Sequence, residues 1–334
     1  MDPNYYGFPR QEHMQPPEHD MQDVGQNVIP SVAVISYVFS FIILIVLVFY
    51  YTNYSFFFCF FFLLYKVQKV KVRQSWNIVK YINNRMTDPI ISKIRQTCFG
   101  PYLDIRCVMC DSLLLLGVAQ LQVHTPTPRL GITYRLGQQT LMFSPKQFCL
   151  ITGLRFGSNN WTPIDHPESF KNRHFSGRER INFKRIRDMF EGPMQYSDED
   201  CARICLLMLL GQGFLGLQDT NAVDIKLLHL VDNLNAFNQY PWGNYFWEST
   251  YTNVYDMHVR QKEDTRGFSL DGFVWPFKMW ILEVFPEFKQ KRGYFEGPTI
   301  PRFLGWKEGH RLLKVNVDGI LANAVKVRYL NIIP

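Results

Sequence analysis

The residues with the clearest chemical potential form one basic run, KNRHFSGRERINFKRIR, which occupies positions 171–187. This run balances its cations with Glu179 alone and interleaves them with His174, Phe175 and Phe183. Such a composition can bind phosphate groups electrostatically or act as a nuclear import signal. A solvated loop and helix face is the simpler interpretation, and both remain open. The candidate phosphate or import patch comprises Lys171, Arg173, Arg178, Arg180, Lys184, Arg185 and Arg187.

Two further motifs bear on metal and cofactor chemistry. The CVMC motif places Cys107 and Cys110 at half-zinc-site spacing, but no second CxxC or HxxxH pair supplies the remaining ligands. The GQGFLG motif matches a dinucleotide fingerprint only literally, because the preceding run begins with a helix cap rather than a strand. Its glycines are better explained as closing a buried helix. The sequence predicts no catalytic, metal or cofactor site, and a protein that is not an enzyme.

The N-terminal part of the chain is dominated by an apolar tract without any formal charge, residues 24–65. About 20 apolar residues span a bilayer as a helix, and residues 31–51 are the best such window. The preceding segment is acidic, whereas a basic juxtamembrane set follows at once, so the positive-inside rule places the C-terminal bulk in the cytosol. That set comprises Lys66, Lys69, Lys71 and Arg73. The sequence predicts a single-pass membrane protein tethered through residues 31–51.

The composition of residues 24–65 also fits a tract that is not translated. Phe, Leu, Ile, Val, Tyr, Ser and Cys are encoded by thymine-rich codons, so untranslated DNA included in a gene model would resemble this tract. A buried core helix is a third interpretation, although the tract is long for one. If the tract is not translated, the protein is soluble and nuclear localisation becomes the alternative prediction.

The rest of the chain has the composition of a packed domain. Apolar residues make up 47% of the 334 residues, which suffices for a core, and the net charge of +7 permits contact with anions. Apolar spacing and capping signals predict helices at 76–86, 88–99, 110–122, 144–153, 196–216, 221–240, 247–259 and 270–285. A small hairpin is predicted within 131–143, and a polar loop from 156 to about 182. The predicted class is mainly α with a minor β-hairpin and one N-terminal transmembrane helix.

A compact aromatic sequence follows the helix predicted to end at Tyr240. Pro241 and Gly243 are expected to stop that helix, while the large rings of Tyr240 and Trp242 can bury extensive area. These four residues, Tyr240, Pro241, Trp242 and Gly243, are therefore predicted to form a structural corner rather than a ligand pocket.

Three blocks carry a resemblance to a known family: IRQTCFGPYLDI at 94–105, FSPKQFCLITGLRFG at 143–157 and VDNLNAFNQYPWGNYFW at 231–247. Over roughly residues 91–286 the chain resembles a plant domain of unknown function, the family numbered nineteen eighty-five. Members often lie upstream of a peptidase domain specific for ubiquitin-like proteins, in transposon-related genes. No such peptidase is recognisable after residue 290, so the resemblance implies no catalytic residue here.

These observations predict the organisation and function of the chain. The predicted segments are an acidic tail (1–23), an apolar membrane segment (24–65), a basic linker and helix (66–90), an α-rich domain (91–290) and a C-terminal extension (291–334). The first functional prediction is a non-catalytic, membrane-tethered interaction module with a cytosolic globular domain. The alternative is a soluble nuclear, transposon-derived protein that uses the basic run for nucleic acid or import. Neither the protein partner nor the oligomeric state is predicted.

Overall fold

The computed structural model describes residues 70–106, 111–123, 130–136, 139–158, 160–255, 257–263, 267–285, 287–288, 293–297, 299–308 and 317–321. Contacts divide the chain into the units Met1–Phe56 and Phe57–Pro334, and all the described residues belong to the second. The predicted transmembrane helix at 31–51 lies outside them. None of the described helices combines the length and apolarity that crossing a bilayer requires.

The described fold is mainly helical with a small antiparallel sheet, which confirms the mainly α part of the predicted class and its minor hairpin. Its α-helices are α1 (Asn77–Arg85), α2 (Asp88–Arg95), α3 (Ser112–Ala119), α4 (Pro145–Thr152), α5 (Phe170–Phe175), α6 (Phe183–Glu191), α7 (Asp198–Met208), α8 (Ile225–Asp232), α9 (Leu234–Gln239), α10 (Trp242–Tyr255), α11 (Met257–Glu263) and α12 (Trp275–Val284). A π-helix, Leu209–Leu215, continues α7, and 3₁₀ turns occur at Gly100–Asp104 and Arg302–Gly305.

Three small sheets accompany the described helices. Antiparallel strands β2 (Gln122–Val123), β3 (Ile132–Leu136) and β4 (Gln139–Phe143) form the largest sheet, and the β3–β4 pair is the predicted hairpin. Strand β1 (Val70–Val72) pairs in parallel with β5 (Phe268–Leu270), and β6 (Gly293–Phe295) pairs antiparallel with β7 (Trp306–Glu308).

The segment that precedes residue 91 is integral to the fold. Strand β1 pairs with β5, and Trp76, just before α1, is only 2% exposed. The Trp76 ring packs against Tyr102, Phe214 and Trp275 at centroid distances of 5.4, 5.1 and 5.9 Å. The predicted boundary at residue 91 falls inside α2, so the described part of the basic linker packs into the same core as the α-rich domain.

The motif GQGFLG lies in the π-helix, and its glycines serve close packing. A Cβ at Gly211 would meet the Phe183 ring at 2.1 Å, and one at Gly213 would lie 3.2 Å from the ring of Trp76. Gly216 ends the π-helix at φ 66°, a left-handed conformation that glycine adopts without steric cost. The motif closes a buried helix, as the sequence indicated.

Several predicted elements differ from the structure, and the helix predicted for 270–285 begins only at Trp275, after strand β5. The polar loop predicted for 156–182 contains α5, which Ser169 caps by accepting from Asn172 N. The single helix predicted for 221–240 is broken at Asn233, whose extended backbone ends α8 and whose side chain caps α9. The helix predicted to begin near Trp247 begins at Trp242. Pro241 was expected to end the preceding helix, but it comes directly before the first turn of α10, where proline favours the start of a helix.

Candidate functional site

The basic run folds into α5, a turn and α6. Gly177 turns the chain with φ 72°, and Arg178 N donates to Phe175 O at 3.1 Å. Backbone bonds then anchor the start of α6, where Phe183 N donates to Asn221 O at 2.8 Å. The buried side chains of Ile181 and Phe183 fix this segment to the core. The intervening cations therefore project from a backbone that is held at both ends.

Four of the seven predicted patch residues are neutralised by acidic partners. The ion pairs are Lys171–Asp165 at 2.9 Å, Arg173–Asp200 at 2.7 Å, Lys184–Asp188 at 2.8 Å and Arg187–Asp219 at 3.2 Å. The hydrogen bond with Asp188 raises the pKa of Lys184. The seven predicted patch residues therefore do not form one surface of unpaired positive charge.

The other three, Arg178, Arg180 and Arg185, are exposed and form no ion pair with any described residue. They line a cleft of about 210 Å³ together with Lys184 and Asp188. Ile181 and Asn182 complete its wall. We call this feature the basic cleft. It concentrates four cations around a single carboxylate, which is an arrangement that attracts phosphate groups.

A buried carboxylate joins α5 to α7. Asp200, in the first turn of α7, is 6% exposed and accepts hydrogen bonds from Arg173 at 2.7 Å, His174 at 2.8 Å and Arg203 at 2.7 Å. Burial alone would raise the pKa of Asp200, but these three bonds outweigh it and lower that pKa. Arg203 also lies 3.4 Å from Asp232 of α8. Asp200 is thus the centre of an ionic network that connects three helices.

The predicted juxtamembrane set is only partly described. Lys66 and Lys69 lie outside the described residues. Lys71 is an exposed residue of β1, and Arg73 forms an ion pair with Asp271 at 3.2 Å. Arg73 is therefore engaged within the globular fold.

The predicted corner lies in the aromatic core. Trp242 is 1% exposed, and its Nε1 donates to Phe237 O at 2.7 Å. Gly243 N donates to Arg155 O at 2.8 Å, and a Cβ there would meet the Phe156 ring at 2.4 Å. Tyr240 and Pro241 are buried beside them. These contacts fit the interpretation as a structural corner.

The described cysteines have the character of packed thiols. Burial raises the pKa of Cys98 to about 12 and raises that of Cys205 as well. Thiols of this kind are poor nucleophiles at neutral pH. Cys107 and Cys110 lie outside the described residues. Within the described ranges, no three His, Cys, Asp or Glu side chains converge in a way that could hold a metal ion.

Two features of the site were not found in the sequence. The role of Asp200 depends on Arg173 and His174, which lie 27 and 26 positions earlier in the chain. The second was a pocket between α1 and α6, whose walls come from segments that the sequence predicted to belong to different domains. No local pattern marks either feature.

Comparison with known proteins gives one match. The chain matches no curated protein and no solved structure. Residues 128–253 match the family model described as a domain of unknown function, DUF1985. This match includes two of the three blocks that carry the resemblance, and the block at 94–105 lies outside it. The resemblance stated from those blocks is confirmed for residues 128–253, the segment that matches the DUF1985 model and contains the basic cleft.

Proposed function

We propose that the globular unit is a non-catalytic binding module whose basic cleft holds the phosphate groups of a nucleic acid. This proposal rests on a difference among the seven patch residues, some of which have acidic partners while others have none. Four cations have acidic partners, whereas Arg178, Arg180 and Arg185 have none among the described residues and converge on one cleft.

The physical chemistry of arginine supports a phosphate ligand. The guanidinium group is always charged and presents a planar fork of donors that matches the geometry of a phosphate. Three such groups within one cleft repel each other, and a bound polyanion removes that repulsion while releasing its counterions. The overall charge of +7 adds a long-range attraction of the same sign.

Neutralising the basic cleft should weaken the binding of nucleic acid and flatten its salt dependence. The variant is Arg178→Gln, Arg180→Gln, Arg185→Gln in the full chain, purified in mild detergent. We expect the slope of log K against log salt concentration to become shallower by about 2 to 3, since each lost phosphate contact removes about 0.7 to 0.9. Fluorescence anisotropy with a labelled oligonucleotide, measured over a salt series, gives this slope.

A matched control separates this effect from a general loss of charge. Lys71→Gln, Lys80→Gln, Lys146→Gln removes the same three charges from exposed positions outside the basic cleft. We expect this variant to retain nearly the wild-type slope. Equal losses in the two variants, or no binding by the wild-type chain, would overturn the proposal.

The proposed absence of catalysis rests on the character of the described thiols. Their raised pKa values oppose the thiolate that a cysteine peptidase requires. A cysteine-directed activity probe should label the native chain no faster than the urea-unfolded chain. Rapid labelling of one cysteine in the native state alone would support an enzyme instead.

Membrane attachment through residues 31–51 is the second candidate property, and the uncharged tract between Asp23 and Lys66 favours it. In this arrangement the N-terminus is outside and the basic cleft faces the cytosol. Sequencing of full-length transcripts across codons 20–80 should show the tract in mature RNA, and alkaline extraction should leave the protein in the membrane fraction. Removal of the tract by splicing would favour the soluble nuclear alternative.

A further inference from the structure

A second concavity lies on the adjacent face of α6. It has a volume of about 660 Å³, which is within the range of ligand sites in proteins. Its apolar lining includes Ile78 and Tyr81 of α1, Phe190 of α6 and Met208 at the end of α7. We call it the Tyr81 pocket. The Tyr81 side chain is 57% exposed, so an aromatic ring stands at the surface of this pocket without a covering partner.

The polar groups of the Tyr81 pocket fit the edge of a planar heterocycle. Asn84 and Gln212 contribute amide groups that can both donate and accept hydrogen bonds. Arg187 also lines the pocket and adds a guanidinium group to its wall.

The backbone at this pocket is also unusual. Gln212 belongs to the π-helix that continues α7, and π-helical turns occur frequently at functional sites. Arg85, another lining residue, donates to the carbonyls of Glu191 and Gly192 and thereby fixes the end of α6 against α1. The wall formed by α6 is thus held in place independently of any ligand.

The basic cleft and the Tyr81 pocket share one helix. Lys184, Arg185 and Asp188 line the cleft, whereas Arg187 and Phe190 line the pocket. Lys184 and Phe190 are separated by about 9 Å along the helix axis at 1.5 Å per residue. A strand of a few nucleotides can reach both. A duplex cannot use the pocket in this way, because its bases are paired and stacked inside the helix.

We propose that the Tyr81 pocket receives an unstacked base of a single-stranded nucleic acid whose phosphates lie in the basic cleft. This inference rests on the proposed function and adds to it the strandedness of the ligand. Aromatic stacking with exposed bases and cationic contact with the backbone are the two interactions that single-strand-binding proteins combine. Tyr81 supplies the first and the arginines of the basic cleft supply the second.

The test compares three labelled ligands of equal length, namely a single-stranded oligonucleotide, an abasic strand and a duplex. The full chain is purified in mild detergent and titrated by fluorescence anisotropy at fixed salt concentration. We expect the wild-type chain to bind the single strand roughly tenfold more tightly than the abasic strand, since one stacked base contributes that much affinity. Tyr81→Ala should abolish this difference and leave the affinity for the abasic strand unchanged.

Controls distinguish the failure of this inference from the failure of the proposed function. Tyr81→Phe keeps the aromatic face and should retain the preference, and the exposure of Tyr81 makes both variants safe for folding. Equal affinity for all three ligands, weakened by the triple glutamine variant, would overturn the inference but keep the basic cleft as a phosphate site. Binding to anionic lipid vesicles but to none of the three ligands would overturn both.

Discussion

Replacing Asp200 by alanine should lower the free energy of unfolding by about 3 kcal/mol, near the low end of the cost of breaking a buried ion pair. The carboxylate is 6% exposed and accepts from Arg173, His174 and Arg203, so its loss leaves two guanidinium groups facing each other and the His174 ring without its partner. The cost stays near the low end because the Arg173 side chain is 34% exposed and can turn to water. Urea denaturation followed by tryptophan fluorescence measures the change.

Asp198 provides a matched control for this substitution. It lies two residues away in the same first turn of α7 but is exposed. Asp198→Ala removes the same charge from the same helix terminus and should cost only about 0.3 to 1 kcal/mol. Equal costs for the two variants would mean that the Asp200 network contributes little beyond its interaction with the helix dipole.

The Asp200 network also predicts how stability depends on pH. Because the three hydrogen bonds lower the pKa of Asp200 in the folded state, its contribution is complete above the pKa of an unfolded aspartate, about 3.9. It is then lost as the pH falls through the folded-state pKa. The stability difference between the wild type and Asp200→Asn should therefore shrink as the pH falls below about 5. A constant difference down to pH 2 would contradict this account.

Elements with local signals could be predicted from the sequence. Helix α4 is the clearest case, because Ser144 accepts from Gln147 N, Pro145 occupies the first turn and Gly153 ends the helix at φ 70°. Each of these features depends on residues within one or two turns of the helix. The β3–β4 hairpin and the buried helix α3 are of the same kind.

Elements in which a continuing helix competes with another conformation could not be predicted. The apolar pattern from 221 to 240 is continuous, yet Asn233 interrupts it by capping α9 with its own side chain. The start of α10 at Trp242 depends on Gly243, which packs against Phe156 and bonds to the Arg155 carbonyl. In both places the chain can either continue or interrupt a helix, and the apolar pattern alone does not show which conformation is the more stable.

The same distinction applies to the candidate site. The basic run was visible as composition, but the sequence did not show which of its cations are neutralised. Asp165, Asp200 and Asp219 pair with patch residues from other parts of the chain, and those pairs leave the basic cleft to Arg178, Arg180 and Arg185. The cations that have no acidic partner can therefore be identified only from the folded structure.

The second large effect is expected at Trp242. Its ring packs against Phe99, Phe237 and Tyr240 at centroid distances of 5.1, 4.9 and 4.7 Å, and the side chain is 1% exposed. Trp242→Ala should lower the free energy of unfolding by about 3 to 5 kcal/mol, because it loses this burial and leaves a cavity. Equilibrium urea denaturation, followed by far-UV circular dichroism, measures the loss without depending on the fluorescence of the deleted tryptophan.

Two comparison variants separate the contributions of Trp242. Trp242→Phe keeps much of the ring packing but removes the Nε1–H that donates to the Phe237 carbonyl at 2.7 Å, so it should cost about 1 to 3 kcal/mol. Tyr81→Ala, an aromatic deletion at a surface position, should change stability by less than about 0.5 kcal/mol. If Trp242→Ala were as stable as Tyr81→Ala, the four-residue corner would not contribute to the core. Its aromatic rings would then have to be reconsidered as a binding surface.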